Sequence, residues 1–192
     1  MSTIPTLHLA STSPRRREIL EALHIEFKII HVDVDESALP GESPDDMVLR
    51  LARAKAEAAE IGAADVALGA DTAVVVGGRA LGKPVDEPDC IAMLEALSGR
   101  CHKVVTGVAL HGAGRSETVS STTDVYFREI SRDEALAYWQ SGEPCDKAGG
   151  YAIQGIGGAF IERIEGSYSG VVGLPVFETL ALLKSVGIGA LT

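Results

Sequence analysis

The chain of 192 residues is long enough for one good core or for two closely joined lobes, and its composition, 46% hydrophobic and 23% charged, is ordinary for a globular protein. Its formal net charge of −10 argues against general nucleic-acid binding, which needs a basic face. No apolar run approaches the roughly 20 residues of a membrane span, and the three cysteines have no metal-binding spacing. We therefore expect a cytoplasmic protein with no membrane partner, no nucleic-acid partner and no disulfide framework.

The predicted secondary structure alternates between strands and helices. The first half is predicted to contain strand 6–10, helix 14–24, strand 26–32, acidic loop 33–43, helix 44–60 and a buried strand 66–76 followed by a Gly77-Gly78 hairpin turn. The second half is predicted to contain helix 88–97, β runs 101–111 and 117–128, helix 131–141 capped by Ser131, Gly-rich loop 144–158, strand 159–164 and helix 175–186. This alternation with one long hairpin favours an α/β fold with a mixed sheet.

The first predicted helix begins with charges of an unusual sign. Ser13-Pro14 indicates a helix start with a hydroxyl cap, but three arginines follow at positions 15–17. Each cation there costs about 0.3–1 kcal/mol if it is exposed, because the helix dipole favours anions. The second such start, at residues 43–46, has acidic residues in the same place. The first start therefore needs a different explanation.

A bound phosphate would give two of these arginines a role. Arg15 and Arg16 share a helix face with Leu20, which should pack inward. A phosphate held between these arginines and the free backbone N–H groups would be stabilised. The alternative is that both are solvated surface charges. Arg17 lies off this face, four residues before Glu21, and is expected to be an exposed ion-pair partner.

Two ionisable residues lie where apolar side chains are expected. Asp71 interrupts an apolar strand, and the small Gly69 and Ala70 leave room for another group near the backbone. Asp71 could bind a metal or act as a general base, and the alternative is a structural hydrogen bond. Lys55 falls on the apolar stripe of its helix, where it either faces a site or extends to solvent.

Other polar candidates lie in loops. Lys83 follows the predicted hairpin, and Glu36 belongs to an acidic loop of a kind that is usually solvated. Residues 146–155 are too polar for core and form either a ligand-binding loop or a plain Gly-rich turn. Gln154 in this loop offers both a donor and an acceptor. Together the cations and acids suit a polyphosphate held with a divalent metal and attacked by water.

Short motifs occur in order along nearly the whole chain. They are Ser11-x-Ser13-Pro14-Arg15-Arg16, Arg50-Leu51-Ala52-x-x-Lys55-Ala56, Gly69-Ala70-Asp71-Thr72, Gly82-Lys83-Pro84, Ser98-Gly99, Asp146-Lys147-Ala148-Gly149-x-Tyr151-x-Ile153-Gln154-Gly155 and Val172-Gly173-Leu174-Pro175. The set resembles the Maf family of nucleoside triphosphate pyrophosphatases. This resemblance implies a single Maf-like domain over residues 1–192. It also implies an α/β fold similar to that of inosine triphosphate pyrophosphatases, with a mixed twisted sheet and two lobes around a central cleft.

The resemblance also implies an activity and a set of site residues. The expected reaction is hydrolysis of a nucleoside triphosphate to the monophosphate and pyrophosphate, with Mg²⁺ as the expected metal and Mn²⁺ as a substitute. Asp71 matches the family's proposed proton acceptor, and Glu36 and Asp71 match its metal-binding positions. The phosphate-binding positions correspond to Ser11, Arg16, Lys55 and Lys83. A homodimer is compatible with the resemblance, but the oligomeric state stays open.

Arg15, Thr72 and Gln154 correspond to positions that separate the branches of the family. Their combination resembles the branch acting on dTTP, UTP and modified uridine triphosphates. A neutral Gln154 could pair with the O4 and N3–H edge of uracil or thymine. The alternatives are the branch acting on 7-methyl-GTP and a non-catalytic nucleotide-sensing regulator of cell division. Intact Asp71 and Glu36 favour the enzyme.

Overall fold

A computed structural model describes residues 4–190, which form a seven-stranded sheet and six α-helices. The strands are β1 (Leu7–Leu9), β2 (Lys28–Ile29), β3 (Val66–Val76), β4 (Arg79–Leu81), β5 (Cys101–Gly112), β6 (Arg115–Phe127) and β7 (Ile161–Glu165). The helices are α1 (Pro14–Ala22), α2 (Pro44–Glu57), α3 (Glu87–Leu97), α4 (Arg132–Gln140), α5 (Tyr168–Val172) and α6 (Val176–Lys184). Short 3-10 turns lie at Glu143–Asp146, Ala148–Gly150 and Ile156–Phe160.

The sheet is mixed, as the alternation of elements predicted. Its strand order is β2-β1-β3-β5-β6-β7, and β4 pairs with β3. Strand β1 runs parallel to β2 and β3, whereas β3, β5, β6 and β7 pair in antiparallel fashion. Within the described part of the chain, no helix is both long enough and apolar enough to cross a membrane.

Strand β3 has different partners along its two edges. One edge pairs with β5 over residues 66–75. The other edge pairs with β1 over 66–68 and with β4 over 74–76. Residues 69–73 therefore have no second strand partner in the part of the chain that the structure describes. We call this gap the fork, and Asp71 and Thr72 lie in it, both partly buried.

The buried apolar residues form two main clusters that meet β3 at its two ends. One cluster joins β1, α1 and α6 to the first half of β3. The other joins α3 and α4 to Val74 in the second half. The fork lies between these two regions along the strand, so the polar residues at its centre are outside both clusters.

Helix α2 packs directly on the backbone of the sheet. A Cβ added at Gly69 would lie 2.7 Å from Ala56 N and would collide with the carbonyl oxygen of Ala52. A Cβ at Gly107 on β5 would lie 2.5 Å from Val48 O. Gly69, two residues before Asp71, therefore accommodates α2, and this close approach places the helix over the middle of β3.

Several local predictions need correction. Ser13 is the N-cap residue of α1, but its hydroxyl makes no capping hydrogen bond. By contrast, Ser43 caps α2 by accepting from Asp46 N at 3.1 Å. The strand predicted at 26–32 pairs only over Lys28–Ile29. Helix α5 lies in a segment for which no sequence pattern indicated a structure. The predicted Ser131 cap of α4 is confirmed as a capping box.

Candidate active site

A cleft of about 620 Å³ opens beside the fork. Its walls come from the end of β1, the start of α1, the middle of β3, the turn after β4 and the loop around residues 146–154. Every site residue predicted from the sequence lines this cleft, namely Ser11, Arg15, Arg16, Glu36, Lys55, Asp71, Thr72, Lys83 and Gln154. Asp146 and Lys147 also line it, although they were assigned no individual role from the sequence. The structure therefore brings together residues that are far apart in the chain.

Lys55 lies between two carboxylates. Its Nζ is 2.6 Å from Glu36 Oε1 and 2.7 Å from Asp71 Oδ1. The side chains of Lys55 and Asp71 are only 12% and 14% exposed, so Lys55 faces the strand instead of extending to solvent. The hydrogen bond from Lys55 lowers the pKa of Glu36 below its usual value, and the charges of Lys83 and Arg16 act in the same direction.

The two carboxylates have the chemistry of a magnesium site that is completed by substrate. Glu36 and Asp71 contact the same ammonium group, so their oxygens converge on one region. Mg²⁺ is commonly bound through one or two carboxylates together with substrate phosphates. Among residues 4–190, no cluster of three or more His, Cys, Asp or Glu side chains could hold a metal. The pair of carboxylates fits a metal that is shared with a phosphate ligand.

Arg16 joins three segments that are distant in sequence. Its Nε donates to Gly173 O at 2.8 Å, after α5. Its Nη1 donates to Ser11 Oγ at 3.1 Å, and its Nη2 donates to Thr72 Oγ1 at 3.2 Å. Burial lowers the pKa of Arg16 below its usual value, although the nearby carboxylate of Asp71 acts in the opposite direction. Arg16 therefore has structural partners that its position at a helix start did not indicate.

The other two arginines of α1 have different environments. Arg15 Nη1 lies 3.3 Å from Asp146 Oδ2 at the wall of the cleft, and Lys147 Nζ contacts the other oxygen of Asp146. Burial raises the pKa of Asp146, but Lys147 and Arg15 outweigh this and lower the pKa overall. Arg17 lies 3.4 Å from Glu21, which confirms the exposed ion pair predicted from their spacing.

A directed chain of hydrogen bonds fixes the hydroxyl of Thr72. The Oγ1 of Thr106 donates to Gly170 O at 2.8 Å and lies 3.0 Å from Thr72 Oγ1. Because a hydroxyl has one proton, Thr72 must donate to Thr106 and accept from Arg16. Thr106 is fully buried, and sequence analysis missed it. A hydroxyl inside an apolar run could have indicated it, because buried polar groups need partners.

The glycines of the 144–158 loop make room for protein and not for a ligand. A Cβ at Gly149 would lie 2.8 Å from Val74 Cγ1, and one at Gly150 would lie 3.2 Å from Cys90 Sγ. Gly149 N also donates to Gly82 O at 2.9 Å, which places the turn bearing Lys83 next to this loop. The exposed side chain of Gln154 faces the cleft from a loop whose shape is set by packing.

The chain belongs to the family described as Maf-like protein, whose profile matches residues 6–186. Among curated proteins, it is 53% identical over 186 residues to a dTTP/UTP pyrophosphatase of Hahella chejuensis, covering 95% of this chain and 92% of that one. It is 52% identical over 184 residues to a dTTP/UTP pyrophosphatase of Saccharophagus degradans, with 93% and 88% of the two chains covered.

A similar relative, a dTTP/UTP pyrophosphatase of Methylobacillus flagellatus, is 50% identical over 185 residues, covering 95% of this chain and 93% of its own. Among solved structures, the Ham1 protein of Staphylococcus aureus aligns with a TM-score of 0.44 and 14% identity, covering 64% of this chain and 71% of its own. The resemblance of the sequence motifs to the Maf family is thus confirmed by the family profile.

Proposed function

We propose that this chain is a nucleoside triphosphate pyrophosphatase that hydrolyses dTTP and UTP, and also modified uridine triphosphates. The observation that carries the proposal is the convergence of Glu36, Lys55 and Asp71 in one cleft with further cations. This combination suits a triphosphate bound together with a divalent metal. The names of relatives about half identical over nearly the whole chain support the same substrates.

In this proposal the cations of the cleft hold the triphosphate. Arg16 and Lys83 neutralise phosphate oxygens, and Ser11 and Lys55 complete the phosphate-binding set. Glu36 and Asp71 would hold a divalent metal, with Mg²⁺ expected and Mn²⁺ as a substitute. When bound, the metal supplies charge neutralisation and polarisation of the phosphoryl oxygens. The whole chain acts as one Maf-like domain, with two lobes that meet at the cleft.

Asp71 is the proposed general base. It accepts a proton from a water molecule whose oxygen attacks the α-phosphorus. The bond from the α-phosphorus to the bridging oxygen then breaks, and pyrophosphate leaves with the electron pair of that bond. Lys55 holds the Asp71 carboxylate in position through its 2.7 Å contact. The side chains that neutralise the phosphates stabilise the charge that develops on the leaving group.

Base recognition is assigned to Arg15, Thr72 and Gln154. The amide of Gln154 can donate to O4 and accept from N3–H of uracil or thymine. The hydroxyl of Thr72 is already hydrogen-bonded to Arg16 and Thr106. Thr72 therefore contributes to base recognition through its methyl group and its position. Arg15 closes the cleft from α1 and is held by Asp146 at 3.3 Å.

Pyrophosphate release from dTTP, UTP, CTP, GTP and 7-methyl-GTP in the presence of Mg²⁺ tests the proposal. We expect dTTP and UTP to be the best substrates, and we expect a chelator to abolish turnover until Mg²⁺ or Mn²⁺ is added. A preference for 7-methyl-GTP would overturn the assignment of the base while leaving the pyrophosphatase activity. Tight nucleotide binding without pyrophosphate release would instead favour a nucleotide sensor.

A further inference from the structure

A tyrosine and a glutamate form a partly buried contact behind the loop that carries Gln154. Tyr138 belongs to α4 and is only 3% exposed, and Glu143 begins the first 3-10 turn. The hydroxyl of Tyr138 donates to Glu143 Oε1 at 2.6 Å. Neither residue is among those that line the cleft within the described chain. Any influence on a ligand must therefore pass through other residues.

The Tyr138–Glu143 pair binds the backbone on both sides of Gln154. On the preceding side, Ala152 N donates to the hydroxyl oxygen of Tyr138 at 3.1 Å. On the following side, Ile156 N donates to Glu143 Oε2 at 2.9 Å, and Gly157 N donates to Glu143 Oε1 at 3.0 Å. The backbone is thus held two residues before Gln154 and again two and three residues after it.

Two glycines allow the backbone to approach this pair. A Cβ at Gly155 would lie 2.5 Å from Glu143 Cδ, and a Cβ at Gly157 would lie 2.5 Å from the hydroxyl oxygen of Tyr138. Real Cβ atoms essentially never approach other atoms so closely. A side chain at Gly155 would displace the Glu143 carboxylate, and one at Gly157 would displace the Tyr138 hydroxyl or the backbone of Ala152. The small residues beside Gln154 are explained by this packing.

The charge state of the pair suits its role as an acceptor and a donor. Burial raises the pKa of Glu143, but hydrogen bonds from Tyr138, Gly157 and Ile156 outweigh it and hold the pKa below its usual value. The ionised carboxylate can accept all three hydrogen bonds. Burial and the neighbouring Glu143 raise the pKa of Tyr138, so its hydroxyl keeps the proton that it donates.

We propose that Tyr138 and Glu143 are positioning residues for recognition of the nucleotide base, because they hold residues 152–157 in the shape that presents Gln154 to the cleft. This inference rests on the proposed function, in which Gln154 contacts the base. The pair lies outside the cleft lining, and the loop that it holds carries none of the proposed phosphate-binding residues, so its loss should weaken binding of the nucleoside part only.

The test compares Tyr138→Phe and Glu143→Gln with a matched control. In Glu143→Gln, an amide NH₂ group, which donates, replaces a carboxylate oxygen, which accepts a hydrogen bond. The control is Tyr126→Phe. The hydroxyl of Tyr126 also donates to a glutamate, Glu165, at 3.4 Å, but within residues 4–190 neither of these two residues forms a hydrogen bond to residues 152–157. Calorimetry measures dissociation constants for α,β-methylene-UTP, which cannot be cleaved to pyrophosphate, and for pyrophosphate itself.

We expect Tyr138→Phe and Glu143→Gln to weaken α,β-methylene-UTP binding by about ten-fold, the loss that corresponds to one hydrogen bond. Pyrophosphate binding should change by less than about two-fold, and Tyr126→Phe should change neither constant. Equal weakening of both ligands would point to a general structural role and would overturn the proposal. Thermal unfolding checks that each variant is folded. If Tyr138→Phe does not fold, the binding test uses Glu143→Gln alone.

A double-mutant cycle with Gln154→Ala supplies a readout that a merely structural role would not change. If the pair acts through Gln154, Gln154→Ala should weaken α,β-methylene-UTP binding in the wild type but have little further effect in Tyr138→Phe. Additive losses would overturn the proposal. Absence of pyrophosphate release by the wild type would refute the proposed function separately, because these binding constants do not depend on turnover.

Discussion

The ammonium nitrogen of Lys55 lies 2.7 Å from Asp71 Oδ1, so the last turn of α2 is joined directly to the middle of β3. Both side chains are largely buried, and the contact lies where β3 has no second strand partner among residues 4–190. The proposed base is therefore held by a cation from another element, next to the place where substrate would enter.

The first prediction concerns this carboxylate. Asp71→Asn keeps the shape of the side chain but removes the proposed base, so kcat for pyrophosphate release from UTP should fall by about 10²–10⁴-fold. The matched control is Asp65→Asn, which removes a carboxylate that lies 3.2 Å from His8 outside the cleft lining. Near-normal turnover in Asp71→Asn would move the role of base to another group, with Glu36 first.

A second prediction concerns the approach of α2 to the sheet. In Gly69→Ala, the new methyl group would meet Ala56 N and the Ala52 carbonyl, so α2 must shift. The free energy of unfolding in urea should fall by about 1–3 kcal/mol or more, as expected for overpacking. Activity should fall too, because Lys55 moves with the helix. Gly82→Ala is the control for stability, since no atom of the described residues, apart from its chain neighbours, lies within 4 Å of its added Cβ.

The third prediction separates two proposed phosphate-binding cations. Lys83 is exposed, so Lys83→Ala should lower kcat/KM for every nucleotide while the free energy of unfolding stays unchanged. Arg16→Lys keeps the charge but cannot make all three hydrogen bonds of the guanidinium, so activity and stability should both fall, the latter by about 1–3 kcal/mol. A loss confined to one base would contradict both assignments.

Gln154→Glu tests recognition of the base. An ionised carboxylate cannot donate to O4, so kcat/KM for dTTP and UTP should fall by about ten-fold or more. CTP is an informative comparison, because the amide of Gln154 could also pair with cytosine if it is free to flip by about 180°. Purines should remain poor substrates because of their size. An unchanged profile across the five nucleotides would remove Gln154 from the set of base-reading residues.

The last prediction concerns the buried His102, whose Nε2 lies 2.8 Å from the hydroxyl of Tyr151. Burial lowers its pKa to about 4, whereas a histidine in an unfolded chain titrates near 6.5. Between these values the unfolded chain binds a proton that the folded chain does not. The stability from neutral His102 is therefore complete above pH 6.5 and is lost as pH falls towards 4.

Urea unfolding at pH 7 and pH 5 measures this effect. The wild type should lose about 2 kcal/mol from His102 over this interval. His102→Gln keeps a polar partner for Tyr151 but has no titrating group, so its stability should depend less on pH. An equal loss of stability in the wild type and in His102→Gln would show that other groups cause the pH dependence.

The candidate site residues could be found from the sequence because several of them break a local rule. Arginines at a helix start and an aspartate inside an apolar strand are each unfavourable unless something compensates. The long elements β3, β5 and β6 were also predictable, since each has an extended apolar or β-branched run. The proposed roles of these residues still await the experiments above.

The fork and α5 could not be predicted in the same way. The fork depends on which strands pair with each end of β3, and that information is not local to the strand. Helix α5 has only five residues, and Thr123 accepts a hydrogen bond from Ser167 N at its start. Such a short helix is stabilised by its tertiary contacts and not by propensity. Thr106 was missed because its partner Gly170 lies in that helix.

The hydrogen bond from Arg16 to Gly173 joins residues that are 157 positions apart. Contacts of such long range form late, because closing a loop of this length costs chain entropy before the contact is made. A ribosome adds about 5–20 residues per second, so Arg16 leaves the exit tunnel several seconds or more before Gly173. We therefore expect a nascent chain to lack a complete triphosphate-binding site, and to remain unable to consume cellular nucleotides, until Gly173 has left the ribosome.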